Sequence, residues 1–416
     1  MAKKKRISCF RVSASKKIFY LWLITVALVL NVNAQDRPDV NYDESKIPPY
    51  TLPELLKTES GELITTAKEW EKKRRPELHK LFQYEMYGVM PEGGVKQKFT
   101  VVGVENFADG LATHKTVEVL LTRGDVSCKA TLHVYTPKAV KKAPMFMYFS
   151  GEQKEAKEWL LKLLNAGYGL CTGDNSEFFP DRRDDPTVYG ESVLALWGIR
   201  EESDLPENIC RALGVWAWAH SRALDYLEKD TDVDARRVVI MGHSRGGKLA
   251  AWAAANDPRF AIAILNNSGC GGAALFRRKI GETAYRINLA FPYWFCENFH
   301  KYSWNEDKLP VDQHGLIALI APRPVYVGSG ETDSWADPKG EFLSVAHAEE
   351  VFNLYGYKGV ATMEQPPLNT PVGDRAAYHV RSGGHTVSDY DWDRYIEFAD
   401  KWLKKTIDRT HTEAAR

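Results

Sequence analysis

The chain has 416 residues, 44% of them hydrophobic, with 55 basic and 55 acidic side chains and therefore no formal net charge. That length and apolar content suffice for one large core or two modest ones. Seven of the 55 basic residues precede Asp36, leaving 48 basic against 55 acidic residues beyond it, and an acidic protein of this kind has no general affinity for nucleic acid or anionic membranes.

The basic start, Lys3 to Lys17, runs into the apolar stretch Ile18 to Leu30 and then Val32-Asn-Ala34. Charged, apolar, then small residues is the order of a secretory signal. The apolar run of 13 residues is short for a bilayer-spanning helix, which needs about 20. Cleavage after Ala34 is expected. Residues 35–416 then form a single catalytic domain in the periplasm or outside the cell, without membrane attachment. Cys128, Cys171, Cys210, Cys270 and Cys296 remain after cleavage, with no Cys-x-x-Cys spacing. Export allows one or two disulfides, but neither a disulfide scaffold nor a zinc site is indicated.

Leu63 to Met86 has a charged helical pattern interrupted by Pro76. Strands are expected at Phe99 to Val104, Val117 to Thr122 and Ala130 to Tyr135, and a buried strand at Pro144 to Phe149. An amphipathic helix from Glu155 to Asn165 and a strand from Tyr168 to Thr172 follow, and Glu207 to Asp230 is the longest helical pattern. Strands are next expected at Arg237 to Gly242, Phe260 to Leu265 and Arg323 to Gly328. Leu354 to Ala361 precedes a Pro-rich loop, and a last strand, Tyr378 to Arg381, leads to a closing helix, Trp392 to Lys405. Strands in antiparallel style followed by alternating strands and helices predict an α/β protein. Its mostly parallel central sheet is covered on both faces, with ligands at the carboxyl ends of the strands.

Gly242-His-Ser-Arg-Gly-Gly-Lys248 joins a β-branched run to the small-residue helical run Leu249 to Asn256. In that context Gly-x-Ser-x-Gly reads as a nucleophile elbow. The turn lifts the Ser244 hydroxyl above the sheet and aims the first amides of the helix at the same spot, where a developing oxyanion is favoured. A serine hydroxyl needs an imidazole to take its proton, and that imidazole needs a carboxylate to fix its tautomer. Among eleven histidines, His243 adjoins the serine but is expected to point elsewhere on the elbow. His133, His220 and His379 lie inside predicted elements, and His411 is in the tail. His385, in the Gly-Gly-His loop after the last strand, is the candidate base. The acid is expected between serine and histidine in chain order, and Asp333 is the candidate, with Glu331 and Asp337 as rivals.

The segments around these residues resemble the glucuronoyl esterases, carbohydrate esterase family 15. The resemblance rests on the elbow with Arg245 and Lys248, Ser268-Gly-Cys-Gly-Gly-Ala273, Gly281-Glu-Thr283, Phe291-Pro-Tyr-Trp-Phe295, Asp333-Ser-Trp-Ala-Asp-Pro338 and Gly383-Gly-His385. It runs from about Tyr50 to Lys405. It implies an α/β-hydrolase fold, no cofactor and no metal. The implied reaction is hydrolysis of the ester between a (4-O-methyl-)glucuronate branch of glucuronoxylan and a lignin alcohol. Ser244 is then the nucleophile, His385 the base, and Arg245 the oxyanion stabiliser. Lys248 and Glu282 would hydrogen-bond the sugar hydroxyls, and Trp335 would contact the glucuronate. A monomer is the expected assembly.

Fungal members carry the triad acid as a glutamate where this chain has Asn267, and a disulfide where it has His243 and Thr386. Both departures point to the bacterial type, with the acid at Asp333. An acetyl-carbohydrate esterase and a non-catalytic carbohydrate-binding homologue remain as alternatives.

Overall fold

Along the strand that leads to the serine, side chains alternate between the two faces of the sheet. Val238 and Ile240 join one hydrophobic cluster, Val239 and Met241 the other. The next strands repeat this, with Ala263 and Leu265 against Ile262 and Ile264, and Val325 and Val327 against Tyr326. A period of two with both faces buried makes these strands continuously apolar. The structure is a computed structural model and describes residues 40–404. The signal-like segment and His411 lie outside the described residues.

A helical stretch with wide π-type turns on either side of α1 (Arg75–Phe82) opens the fold. Pro76 does not interrupt it, because the proline sits in the first turn of α1, just after a π-type turn. The strands are β1 (Lys96–Phe107), β2 (Ala112–Arg123), β3 (Val126–Pro137), β4 (Ala143–Met147), β5 (Gly169–Gly173), β6 (Val233–His243), β7 (Ile262–Asn266), β8 (Val325–Gly330), β9 (Val372–Gly373) and β10 (Ala376–Arg381). Between and after them run α2 (Glu158–Asn165), α3 (Ala212–Leu227), α4 (Arg245–Asn256), α5 (Ala284–Ala290), α6 (Pro338–Leu354) and α7 (Asp389–Ala399).

The sheet order is β1-β2-β3-β5-β4-β6-β7-β8-β10-β9. β1 to β3 pair antiparallel, the block from β5 to β10 is parallel, and β9 is an antiparallel edge. α3, α4 and α6 contribute to one cluster, α2 and α7 to the other. Helices thus cover both faces of a mostly parallel sheet, as expected, and this is the α/β-hydrolase fold.

One stretch departs from expectation. α6 spans 17 residues in a stretch where no helix was anticipated. Its hydrophobic periodicity is weak because residues on several sides are buried, the consecutive run Glu341, Phe342, Leu343, Ser344 and Val345 among them. The five described cysteines are all unpaired, so no disulfide staples the described fold. Among the described residues no helix is long and apolar enough to cross a membrane.

Candidate active site

β6 turns into α4 within two residues, and the turn leaves no room for side chains on its inner side. A Cβ on Gly242 would lie 1.9 Å from the Gly246 carbonyl oxygen, and one on Gly247 would lie 2.7 Å from Ser268 Cβ. Ser244 itself takes φ 58° and ψ −128°, a backbone conformation that non-glycine residues adopt rarely and at functional sites. The strain is held from both sides. The Ser244 amide donates to Asn266 O at 2.9 Å, and the amides of Gly247 and Lys248 donate to Ser244 O at 2.8 and 3.3 Å. The amides of Arg245 and Gly246 are left at the open N-terminal end of α4, where no preceding turn supplies a carbonyl.

β8 and β10 are parallel neighbours in a register that sets Gly330 beside Arg381. The loops after them therefore leave the sheet together. Thr332 N–H donates to Gly383 O at 3.2 Å, and His385 Nδ1 lies 2.7 Å from Asp333 Oδ2. Asp333 is buried, while the His385 side chain is 42% exposed. The carboxylate is thus sheltered, while the imidazole is partly open to solvent. The His385 ring centroid is 4.6 Å from that of His243, the residue immediately before the serine.

The two rival acids are placed elsewhere. Glu331 is exposed. Asp337 caps α6 by accepting from Gly340 N–H at 3.0 Å, and it pairs with Arg278 Nε at 2.8 Å. Asn267 stands beside the pair, and its Nδ2 donates to the same Asp333 oxygen at 2.6 Å. The Asn267 amide thus orients the carboxylate.

His243 does not point away, contrary to expectation. It packs against His385 and lies 2.8 Å from Asn266 Oδ1 through Nδ1. Asn266 Nδ2 donates to Tyr395, so its Oδ1 is the acceptor and His243 Nδ1 carries the proton. Burial, then the neighbouring His385, lower the pKa of His243. His379 and His220 are buried within elements, as expected.

Arg245 extends over the rings of Phe291 and Trp294, with its guanidinium carbon 5.4 and 5.0 Å from their centroids, and pairs with Asp181. Tyr293 O–H donates to the other oxygen of Asp181 at 2.6 Å. Beside Arg245 opens a cleft of about 410 Å³ whose walls include Phe149, Ser150 and His220. In this fold an amide from the loop after the corresponding strand commonly completes the oxyanion hole. Here the amides of Ser150 and Gly151 are already bonded to Thr172 Oγ1 and Gly173 O, at 2.9 and 3.1 Å.

Lys248 is only 3% exposed and is no surface charge. Its ammonium donates to Ser268 O at 2.8 Å, to Cys270 O at 2.6 Å and to the Glu282 carboxylate. Glu282 is buried too and leaves Arg277 and Arg278 to Asp312 and Asp337. Trp335 is half-buried, and its carbonyl accepts from Glu282 N–H at 2.9 Å. The sequence-predicted residues thus form two groups around the elbow, Asp333 with His385 and Lys248 with Glu282 and Trp335, while Arg245 leans towards Asp181.

Two buried acids were missed by sequence reasoning. Asp391, in the first turn of α7, accepts from Arg381 Nε at 2.6 Å, and lies 2.8 Å from His379 Nε2. Arg381 in turn donates to Ser382 O, Gly384 O and Thr386 O, at 3.0, 3.1 and 2.6 Å. These carbonyls bracket His385, so hydrogen bonds from one buried guanidinium hold the loop. Glu341 in α6 accepts from the amides of Ser268 and Gly269, at 2.6 and 2.9 Å, and fixes the turn that follows Asn267. Neither acid is marked by its neighbours in sequence, since its burial and its partners come from other elements.

A serine on a strained strand-to-helix turn, with an imidazole–carboxylate pair following later strands of a mostly parallel sheet, defines the class as an α/β-hydrolase. The sequence profile of the family "Glucuronyl esterase, fungi" matches residues 207–356. Carbohydrate esterase MZ0003, from an unknown prokaryotic organism, is 39% identical over 409 residues, covering 89% of this chain and 93% of the relative. The structure of a glucuronoyl esterase from Solibacter usitatus is 40% identical, with a TM-score of 0.78, over 86% of this chain and 99% of that one. A 4-O-methyl-glucuronoyl methylesterase from Phanerochaete chrysosporium is 34% identical over 154 residues, 35% of this chain and 33% of the relative. The chain belongs to the glucuronoyl esterases, carbohydrate esterase family 15, and is a carboxylic ester hydrolase.

Proposed function

We propose that this chain hydrolyses esters of (4-O-methyl-)glucuronic acid on glucuronoxylan, including those that join it to lignin alcohols, through an acyl-enzyme on Ser244. The observation that carries the reading is the 2.7 Å contact between His385 Nδ1 and Asp333, on an imidazole packed against the residue before the serine. With Nδ1–H given to the carboxylate, Nε2 is the basic nitrogen. It takes the Ser244 proton as Oγ attacks the uronic carbonyl carbon. The carbonyl oxygen becomes an oxyanion facing the open end of α4 and Arg245. As the intermediate collapses, the bond to the alcohol oxygen breaks and His385 returns the proton to that oxygen. Water then repeats the sequence on the acyl-enzyme and releases the glucuronate.

The occupied amides of Ser150 and Gly151 support giving the oxyanion to Arg245, whose planar cation is oriented by Asp181 and two rings. For the sugar, Glu282 supplies an acceptor and Lys248 a donor. A hydroxyl entering here exchanges for one of the carbonyls on the ammonium, and Trp335 covers an apolar side of the pyranose. Export through residues 1–34 is part of the proposal, and the amino terminus of the exported protein tests it.

The reaction is tested with benzyl glucuronate beside an aryl acetate. Faster turnover of the uronate ester, abolished in Ser244→Ala, is expected. Preference for the acetate assigns the site to acetyl-carbohydrate esters. Binding without turnover makes it a lectin-like homologue.

A further inference from the structure

Trp304 is 57% exposed, yet it is not a loose side chain on a loop. Its backbone takes φ 64°, a left-handed conformation that holds the residue out of regular structure. Its ring stacks on Tyr285 with centroids 4.1 Å apart and planes 29° from parallel. The turn beneath is fastened to α5. Asn288 Nδ2 donates to Ser303 Oγ at 3.0 Å and to Phe299 O at 3.3 Å, and Asn305 N–H donates to Tyr302 O at 2.9 Å. These bonds hold the turn on α5, and the stack on Tyr285 sets Trp304 beside the first turn of the helix.

That end adjoins the sugar group of the site. Glu282 is followed by Thr283, which caps α5 by accepting from Arg286 N–H at 3.3 Å, and Tyr285 lies in the first turn. Tyr285 is three residues from Glu282, across the extended cap Thr283, a reach of at most about 11 Å along the chain, so the stacked rings lie close to Glu282 and, with Trp304 exposed, are open to solvent. A pair of aromatic rings already ordered against each other offers a broad apolar face at little further entropic cost. Pyranose rings present C–H faces that match such a surface, and their rim hydroxyls stay in water.

We propose that Tyr285 and Trp304 form a stacking platform for sugar rings of the polysaccharide chain that carries the glucuronate branch. The inference rests on the proposed glucuronoxylan substrate and adds a subsite to it. It takes neutral β-linked pyranose rings, which contribute to binding of the polymer and not to the chemistry at Ser244.

Two measurements test it. In a Ser244→Ala background, calorimetric titration with xylohexaose is expected to give binding that weakens about five- to ten-fold in Trp304→Ala, the worth of one aromatic contact. Trp304→Phe is expected to keep most of the affinity, and Tyr285→Ala to lose it as Trp304→Ala does. In the active enzyme, KM for glucuronate esters attached to xylo-oligosaccharides is expected to rise in Trp304→Ala by the same factor relative to KM for benzyl glucuronate. Equal affinity in the parent and Trp304→Ala proteins, or no binding of xylohexaose to the parent, overturns the platform. Trp304-dependent binding in an enzyme that ignores glucuronate esters keeps the platform and overturns the reaction. Turnover of those esters without Trp304 dependence does the reverse.

Discussion

Arg381 Nε lies 2.6 Å from Asp391 Oδ2, with both side chains buried. The remaining donors of Arg381 reach carbonyls on both sides of His385. Asp391 gathers donors from Arg381, His379 and Ser388, and although burial raises its pKa, these bonds lower it overall. The loop that carries His385 is therefore set by a buried ion pair beneath it.

Removing one member of a buried pair strands the other. Arg381→Met is expected to lower stability by about 3–5 kcal/mol, read from urea unfolding. In the folded fraction kcat should fall more than KM changes, because His385 loses its position and the sugar group does not. A variant that is destabilised but retains kcat would confine the pair to a structural role.

Asp333→Asn removes the charge that holds the His385 tautomer. Turnover of benzyl glucuronate is expected to fall about 10⁴-fold, whereas Glu331→Gln, at an exposed site, should stay near the parent rate. Asn267 reaches the same carboxylate oxygen, so Asn267→Glu in the Asp333→Asn background is expected to recover part of the loss. No recovery would show that a carboxylate at 267 cannot reach the imidazole.

Arg245→Ala takes a fixed cation from the oxyanion side. A fall in kcat of about 10²–10³-fold is expected, with KM changing less. Arg245→Lys should recover little, since an ammonium lacks the planar fork that bonds Asp181 while lying over Phe291 and Trp294. Full activity in Arg245→Lys would leave the amides of α4 as the sole oxyanion donors.

Glu341 is buried completely, and burial pushes its pKa from 4.5 up to about 7 in spite of hydrogen bonds from Ser329, Ser268 and Gly269. The folded state holds this proton more tightly than the unfolded state. The associated stability is present in full below pH 4.5 and is lost as pH rises through about 7. Thermal unfolding of Glu341→Gln, compared with the parent between pH 5 and 8, is expected to show a smaller decline with rising pH. Parallel curves would mean that Glu341 does not titrate differently on folding.

The nucleophile turn was legible because its cause is local. Seven consecutive residues contain the glycines that permit the close approach, and the strand and the helix run directly into them on either side. The apolar strands and their alternation with helices were equally readable, since burial on both faces writes itself into runs such as Val238 to Met241. Much less was readable where the cause lies far along the chain. Glu331, Asp333 and Asp337 look alike within one loop, and only the β8–β10 register brings the middle one to His385.

His243 was expected to point off the elbow, and α6 carries no clean stripe because several sides of it are covered. Arg381 and Asp391 have no local signature at all. A buried ion pair is defined by what surrounds it, and those surroundings exist only after parallel strands and their connecting loops have packed. The sequence by itself determined which turn bears the serine and which sheet presents it. Tertiary structure decided which acid meets the histidine and what holds that histidine in place, because side chains distant along the chain meet only through strand register and packing.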